Sequence, residues 1–101
     1  MKIRLLSSAF KDIANGRDFY EQQGEGLGGY FLDSLFSDID SLRLYAGIHR
    51  RVFDFHRLLS KRFPHAIYYR MEPENEVVVY RVLDCRQNPH TVRASLQKTQ
   101  E

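Results

Sequence analysis

Four histidines, one cysteine and a concentration of arginine in the second half are the side chains that could do chemistry here. Metal-independent cleavage of RNA needs one group to take the proton from a 2′-hydroxyl and another to protonate the leaving oxygen. It also needs cations to stabilise the charge that builds on phosphorus. Histidine suits the proton transfers because it titrates near neutrality, and arginine suits the phosphate because its planar fork donates two parallel bonds. His56, His65 and Arg86 meet those needs by type, and adjacent strands would bring them onto one sheet. Arg57, Lys61 and Arg62 add nearby positive charge for a nucleic acid or other target. His65, at the head of a strand, and Arg86, just past the end of the last one, are the best placed. The competing reading is that all of these are polar residues of an exposed sheet with no chemistry.

Other motifs carry less. The histidines form no helical i, i+4 pair and Cys85 has no cysteine partner, so neither zinc nor any other metal or cofactor is expected. A Cys85–His65 nucleophile pair is conceivable, but a lone cysteine at a strand end is more often a small buried residue. The glycine run at 24–29 lacks a preceding strand and a Lys-Ser/Thr, so it reads as a turn between helices rather than a phosphate loop.

Residues 1–101 are read as one domain with room for one core. A hydrophobic fraction of 43% and an aromatic fraction of 13% fit a folded globule. The single cysteine excludes an intramolecular disulfide framework and fits a reducing cytoplasm. The charged first residues do not read as a signal peptide, and no apolar run approaches the ~20 residues of a membrane span. No membrane partner is expected. The net charge of +2 hides an asymmetry: residues 1–48 hold 5 Lys/Arg against 7 Asp/Glu, and residues 49–93 hold 9 against 5, with all four histidines. The second half is the electropositive one, suited to phosphate or to an acidic partner.

The elements follow from periodicity. Alternation over Lys2–Leu6 predicts a strand. Ser7 and Ser8 offer a helix N-cap, and a helix is expected from about Ser8 to Gln23, stopped by Gly24, with Asp12 near its positive end. A second helix is expected from about Leu27 to Tyr45, carrying the stripe Phe31, Leu35, Ile39, Leu42 and closed by Gly47. From Val52 the period becomes two. Val52–Leu59 predicts one strand, with Phe53 and Phe55 on one face and Asp54 and His56 on the other. His65–Met71 predicts the next strand, with Pro64 at its start. Glu76–Cys85 predicts the longest, with cover on both faces at Val77–Val79. Asn88-Pro89 reads as N-cap and N1 of a short helix to about Gln97, and residues 99–101 are expected to fray. The order β-α-α-β-β-β-α predicts an α+β fold, a helix hairpin packed on a mostly antiparallel four-stranded sheet.

Three phrases within this frame carry a family resemblance: Lys61-Arg62-Phe63-Pro64-His65-Ala66-Ile67-Tyr68-Tyr69-Arg70, then Val77-Val78-Val79-Tyr80, then Asp84-Cys85-Arg86-Gln87-Asn88-Pro89. Together they resemble the RelE/ParE superfamily of type II toxin–antitoxin systems, whose β-α-α-β-β-β core matches the order above. The resemblance implies a small cytoplasmic toxin, neutralised by a cognate antitoxin whose C-terminal segment wraps the helices and sheet. Phe31, Leu35 and Tyr45 are the expected antitoxin contacts. The RelE-like branch cleaves mRNA on the ribosome, whereas the ParE-like branch poisons DNA gyrase. Where RelE-like toxins carry two lysines this chain has His56 and Leu58, and where they carry the first of two arginines it has His65. Only Arg86 matches in kind, and the last helix holds His90 but no tyrosine. The expectation is therefore a ParE-like growth inhibitor acting on gyrase or another protein, with a ribosome-dependent endoribonuclease using His65, Arg86 and His56 as the alternative.

Overall fold

The computed structural model describes residues 1–99. Its elements are β1 (Lys2–Leu5), α1 (Ser7–Gln23), α2 (Leu27–Asp40), α3 (Leu42–Tyr45), β2 (Arg51–Val52), β3 (Phe55–Leu59), β4 (His65–Glu72), β5 (Glu76–Asp84) and α4 (Pro89–Lys98). The strands form one open sheet in the order β1-β5-β4-β3-β2. β1 runs parallel to β5, and every other pairing is antiparallel. The fold is α+β, with the α1–α2 hairpin on one face of the sheet and α4 on the other.

Strand alternation divides the core between those faces. Ile67 and Tyr69 of β4 and Val77, Val79 and Val82 of β5 pack against Ala9, Ile13, Phe31, Leu35 and Ile39 of the hairpin. Ala66, Tyr68, Val78, Tyr80 and Leu83 face the other way, where Val92 and Leu96 of α4 cover them. Val77, Val78 and Val79 are thereby buried on both faces, as their unbroken apolar run predicts. The two helices of the hairpin approach closely at Gly16, where a Cβ would come within 2.5 Å of the Phe31 ring.

Several elements differ from expectation. The sheet has five strands because the chain turns at Phe53 and Asp54, both at positive φ (53° and 70°), which splits Val52–Leu59 into the β2–β3 hairpin. That turn type usually declares itself by Asn-Gly or Asp-Gly, and here neither central residue is glycine. Phe53 is consequently exposed at the turn while Phe55 is buried, so the two do not share a strand face. The second helix breaks at Ser41, whose hydroxyl donates back to the Asp38 carbonyl at 2.6 Å, and α3 follows as a separate turn. Leu6 rather than a serine stands at the N-cap of α1, and the Ser8 hydroxyl instead donates to the Tyr80 carbonyl at 2.8 Å. The Asn88 cap forms as expected, its side chain accepting from the His90 N–H at 2.8 Å. Thr99 does not fray: it is buried, donates to the Ser95 carbonyl at 2.6 Å and accepts from Arg81 at 3.2 Å. The expected fraying at 100–101 lies outside the described residues.

Candidate functional site

β4 is the middle strand of the five, and its register sorts the candidate residues. His65 pairs with Asp84 across β5, and His56 of β3 pairs with Tyr69. Both histidines thus stand on the sheet face that the helix hairpin covers. They are separated along β4 by the four steps from His65 to Tyr69, or ~13 Å at the strand rise. His56, His65 and Arg86 therefore do not converge. The structure brings together His65 and Arg86, and places His56 in a different cluster.

His65 is 8% exposed and lies in an aromatic cage, its ring centroid 5.0 Å from Phe31 and 5.9 Å from Tyr20. Its Nδ1 is enclosed without a hydrogen-bond partner. Burial lowers its pKa below the ordinary histidine value, and the Asp84 carboxylate only partly offsets that. The ring is therefore neutral at pH 7. Among the described residues, the Tyr20 hydroxyl is the other enclosed side-chain polar atom without a partner. Burial raises its pKa; the Arg86 guanidinium lies close enough to pull it back, yet not in a geometry that satisfies the oxygen. Arg86 itself is exposed and committed to Asp84, with Nη2 at 2.7 Å and Nε at 3.0 Å from the carboxylate. Those bonds hold Asp84 below the usual carboxylate range and Arg86 above its own.

Asp12, which the sequence marks only as a charge near a helix start, joins α1 to this corner. Its carboxylate accepts from Arg81 Nε at 2.7 Å, from Arg81 Nη2 at 2.8 Å and from the Val82 N–H at 2.9 Å. β1 reaches only as far as Val79 on β5, so Asp12 satisfies an edge N–H that no strand covers. The β-bulge opposite Tyr68 and Tyr69 supplies the extra residue that lets Arg81 leave the alternation and reach it.

The His56 cluster does a different job. The His56 ring stacks on Tyr69 at 5.1 Å, and its Nδ1–H donates to the His49 carbonyl at 2.7 Å. The Tyr69 hydroxyl accepts from the Gly47 N–H at 2.9 Å and donates to His49 Nδ1. Burial, with the nearby His56 charge second, lowers the His49 pKa and keeps it an acceptor. These contacts anchor the connection from α3 to β2 and present nothing to a substrate.

Arg57 faces the α4 side of the sheet, cross-strand from Tyr68, and not the face of His56. Lys61 and Arg62 are exposed in the turn before β4, where the buried Asp38 carboxylate accepts from the Ser60 hydroxyl at 2.8 Å and the Lys61 N–H at 3.4 Å. Cys85 is exposed rather than buried. Its thiol pKa is nevertheless raised, chiefly by partial desolvation of the sulfur, which is opposite to what a nucleophilic thiolate needs. Phe31 and Leu35, expected at a partner surface, are 0% exposed and belong to the hairpin–sheet core. Of the three expected contacts only Tyr45, at 54%, is on the surface, next to Leu44 at 81% and near Ile48 at 73%. Helical spacing could not separate these cases, because the stretch that forms α2 and α3 is apolar on more than one side. Among the described residues, no three His, Cys, Asp or Glu side chains gather as a metal site, and no helix is long and apolar enough to cross a membrane.

A helix hairpin laid over an open mixed sheet, with four antiparallel strands following the helices, defines a class of small α+β proteins. The profile of the family described as the ParE toxin of the type II toxin–antitoxin system, parDE, matches residues 3–89. The chain belongs to this ParE toxin family. Among solved structures it is similar to one titled the chromosomal ParDE TA system from P. aeruginosa, at a TM-score of 0.67 and 19% identity. That match covers 81% of this chain and 92% of the other, and at such identity it speaks for the fold. No curated protein sequence matches the chain.

Proposed function

We propose that this type II toxin arrests growth by binding a protein target, with DNA gyrase the candidate, and not by cleaving RNA. We infer that it acts in the cytoplasm and is held silent by a cognate antitoxin. The observation that carries the reading is the position of the two acid–base candidates. His56 and His65 stand apart along β4, the His56 ring stacked on Tyr69 and tied to the His49 carbonyl, the His65 ring enclosed by the Tyr20–Phe31 cage of the hairpin. A phosphodiester would need both a proton acceptor and a proton donor within hydrogen-bond reach. Exposed Lys61 and Arg62, with half-buried Arg57, remain as charges for recognising the target or an acidic segment. The antitoxin contact falls on the exposed apolar residues Leu44, Tyr45 and Ile48, which an amphipathic helix could cover.

Expression without the antitoxin, followed by DNA-break, supercoiling and mRNA-integrity measurements in the same cells, tests this. Growth arrest with DNA damage and intact mRNA is the expected outcome, together with inhibition of purified gyrase by purified toxin. Cleaved mRNA with intact DNA overturns it in favour of the nuclease.

A further inference from the structure

We propose that the cleft between α1 and the end of β5 is a recognition pocket for an uncharged carboxamide side chain, glutamine or asparagine, supplied by a protein partner. The cleft encloses about 280 Å³, and its walls include Asn15, Phe19, His65, Asp84 and Gln87. Three features of that wall determine what it accepts.

The first is His65, more than nine-tenths buried. A neutral imidazole has one N–H to place. At Nδ1 the proton would be enclosed with no acceptor, so it belongs on Nε2, which is not enclosed in that way and makes no hydrogen bond among the described residues. His65 therefore offers the cleft a donor. The second is charge. Asp12 is closed against Arg81, and Asp84 against Arg86. An ionic ligand would have to break one of those pairs or enter without a counter-charge, whereas a neutral one leaves both intact. The third is the pair of side-chain amides, Asn15 and Gln87, which make no hydrogen bond among the described residues. Each pairs best with a group that donates and accepts at once. A carboxamide accepts from His65 through its oxygen and donates to an amide through its nitrogen. The half-exposed Phe19 ring gives the aliphatic stem an apolar wall. A nucleobase edge carries similar donors and acceptors but brings phosphates. The choice of a protein source rests on the function proposed above, while the chemistry of the pocket does not.

Titration of the isotope-labelled full chain with capped glutamine (Ac-Gln-NHMe) tests the proposal. The His65 ring nitrogens and the side-chain amides of Asn15 and Gln87 should shift together and saturate. Capped glutamate, which differs only in charge and the lost donor, should bind at least roughly tenfold more weakly. Asn15→Leu and Gln87→Leu, both surface changes, should each weaken glutamine binding about three- to tenfold. They carry the test if His65→Phe fails to fold. Absence of saturation up to the solubility limit, equal response to capped glutamate, or cytidine moving the same resonances each overturns the pocket as stated. None of these readouts depends on growth arrest or gyrase, so a failure here is separable from a failure of the toxin reading.

Discussion

Asp12 is the side chain whose removal should cost the fold most for a single polar group. It accepts from two nitrogens of Arg81 and from the Val82 N–H, and it keeps only 10% of its side-chain surface. Asp12→Ala leaves a partly buried guanidinium and an edge N–H uncompensated, so unfolding free energy should fall by about 3 kcal/mol in a denaturant titration. An effect below about 1 kcal/mol would show that water replaces the carboxylate freely. The histidines set the pH response. His65 and His49 have pKa values lowered chiefly by burial, so the unfolded chain binds protons that the folded chain refuses. Stability is full above the unfolded histidine value of about 6.5 and declines as pH falls below it. The denaturation midpoint should therefore drop between about pH 7 and 5, and His65→Phe, which keeps a ring in the cage, should flatten that slope. The Asp84 contribution lies in a separate window: its carboxyl is held low by Arg86, so its stabilisation is present above the usual carboxylate value of about 4 and is lost in stronger acid.

Close packing and backbone sign decide the elements. Gly16 lets α1 approach α2 until the Phe31 ring fills the space of a side chain. Gly16→Ala should push the helices apart and cost about 1–3 kcal/mol, read as a lower melting temperature. A fully stable variant would mean that Phe31 rotates without penalty. The β2–β3 turn holds Phe53 and Asp54 at positive φ. Replacing them together by Asn-Gly keeps the turn and removes the strain, and should raise stability by about 1 kcal/mol. A loss instead would indicate that the Phe53 ring contact with Arg93, at 5.9 Å, outweighs the strain. This turn is where sequence periodicity and backbone part company. Phe53 to His56 alternates as a strand should, and only the backbone shows the chain reversing inside that alternation.

At the scale of the molecule, the exposed residues Leu44, Tyr45 and Ile48 are the candidate antitoxin contacts. Tyr45→Asp should weaken antitoxin binding roughly tenfold or more by calorimetry, as an aromatic anchor would, while leaving the melting temperature of the free toxin unchanged. Unchanged affinity would move the interface elsewhere. The sequence by itself determined the α+β class, the doubly buried valines of β5, the Asn88 cap and the superfamily, because each rests on local periodicity, cap chemistry or a contiguous phrase. The tertiary structure alone decided which face each side chain meets. A one-step difference in register separates His56 from Arg57, and a bulge in β5 redirects Arg81 to Asp12. It also buried Phe31 and Leu35 of α2 while leaving Tyr45 of α3 outside, because this helical stretch has apolar residues on several sides and only the position of α1 and the sheet selects among them. The histidines are the clearest case. By type they could transfer protons, but Tyr69 and the His49 carbonyl make His56 an anchor, and the hairpin's aromatic cage makes His65 a buried neutral ring.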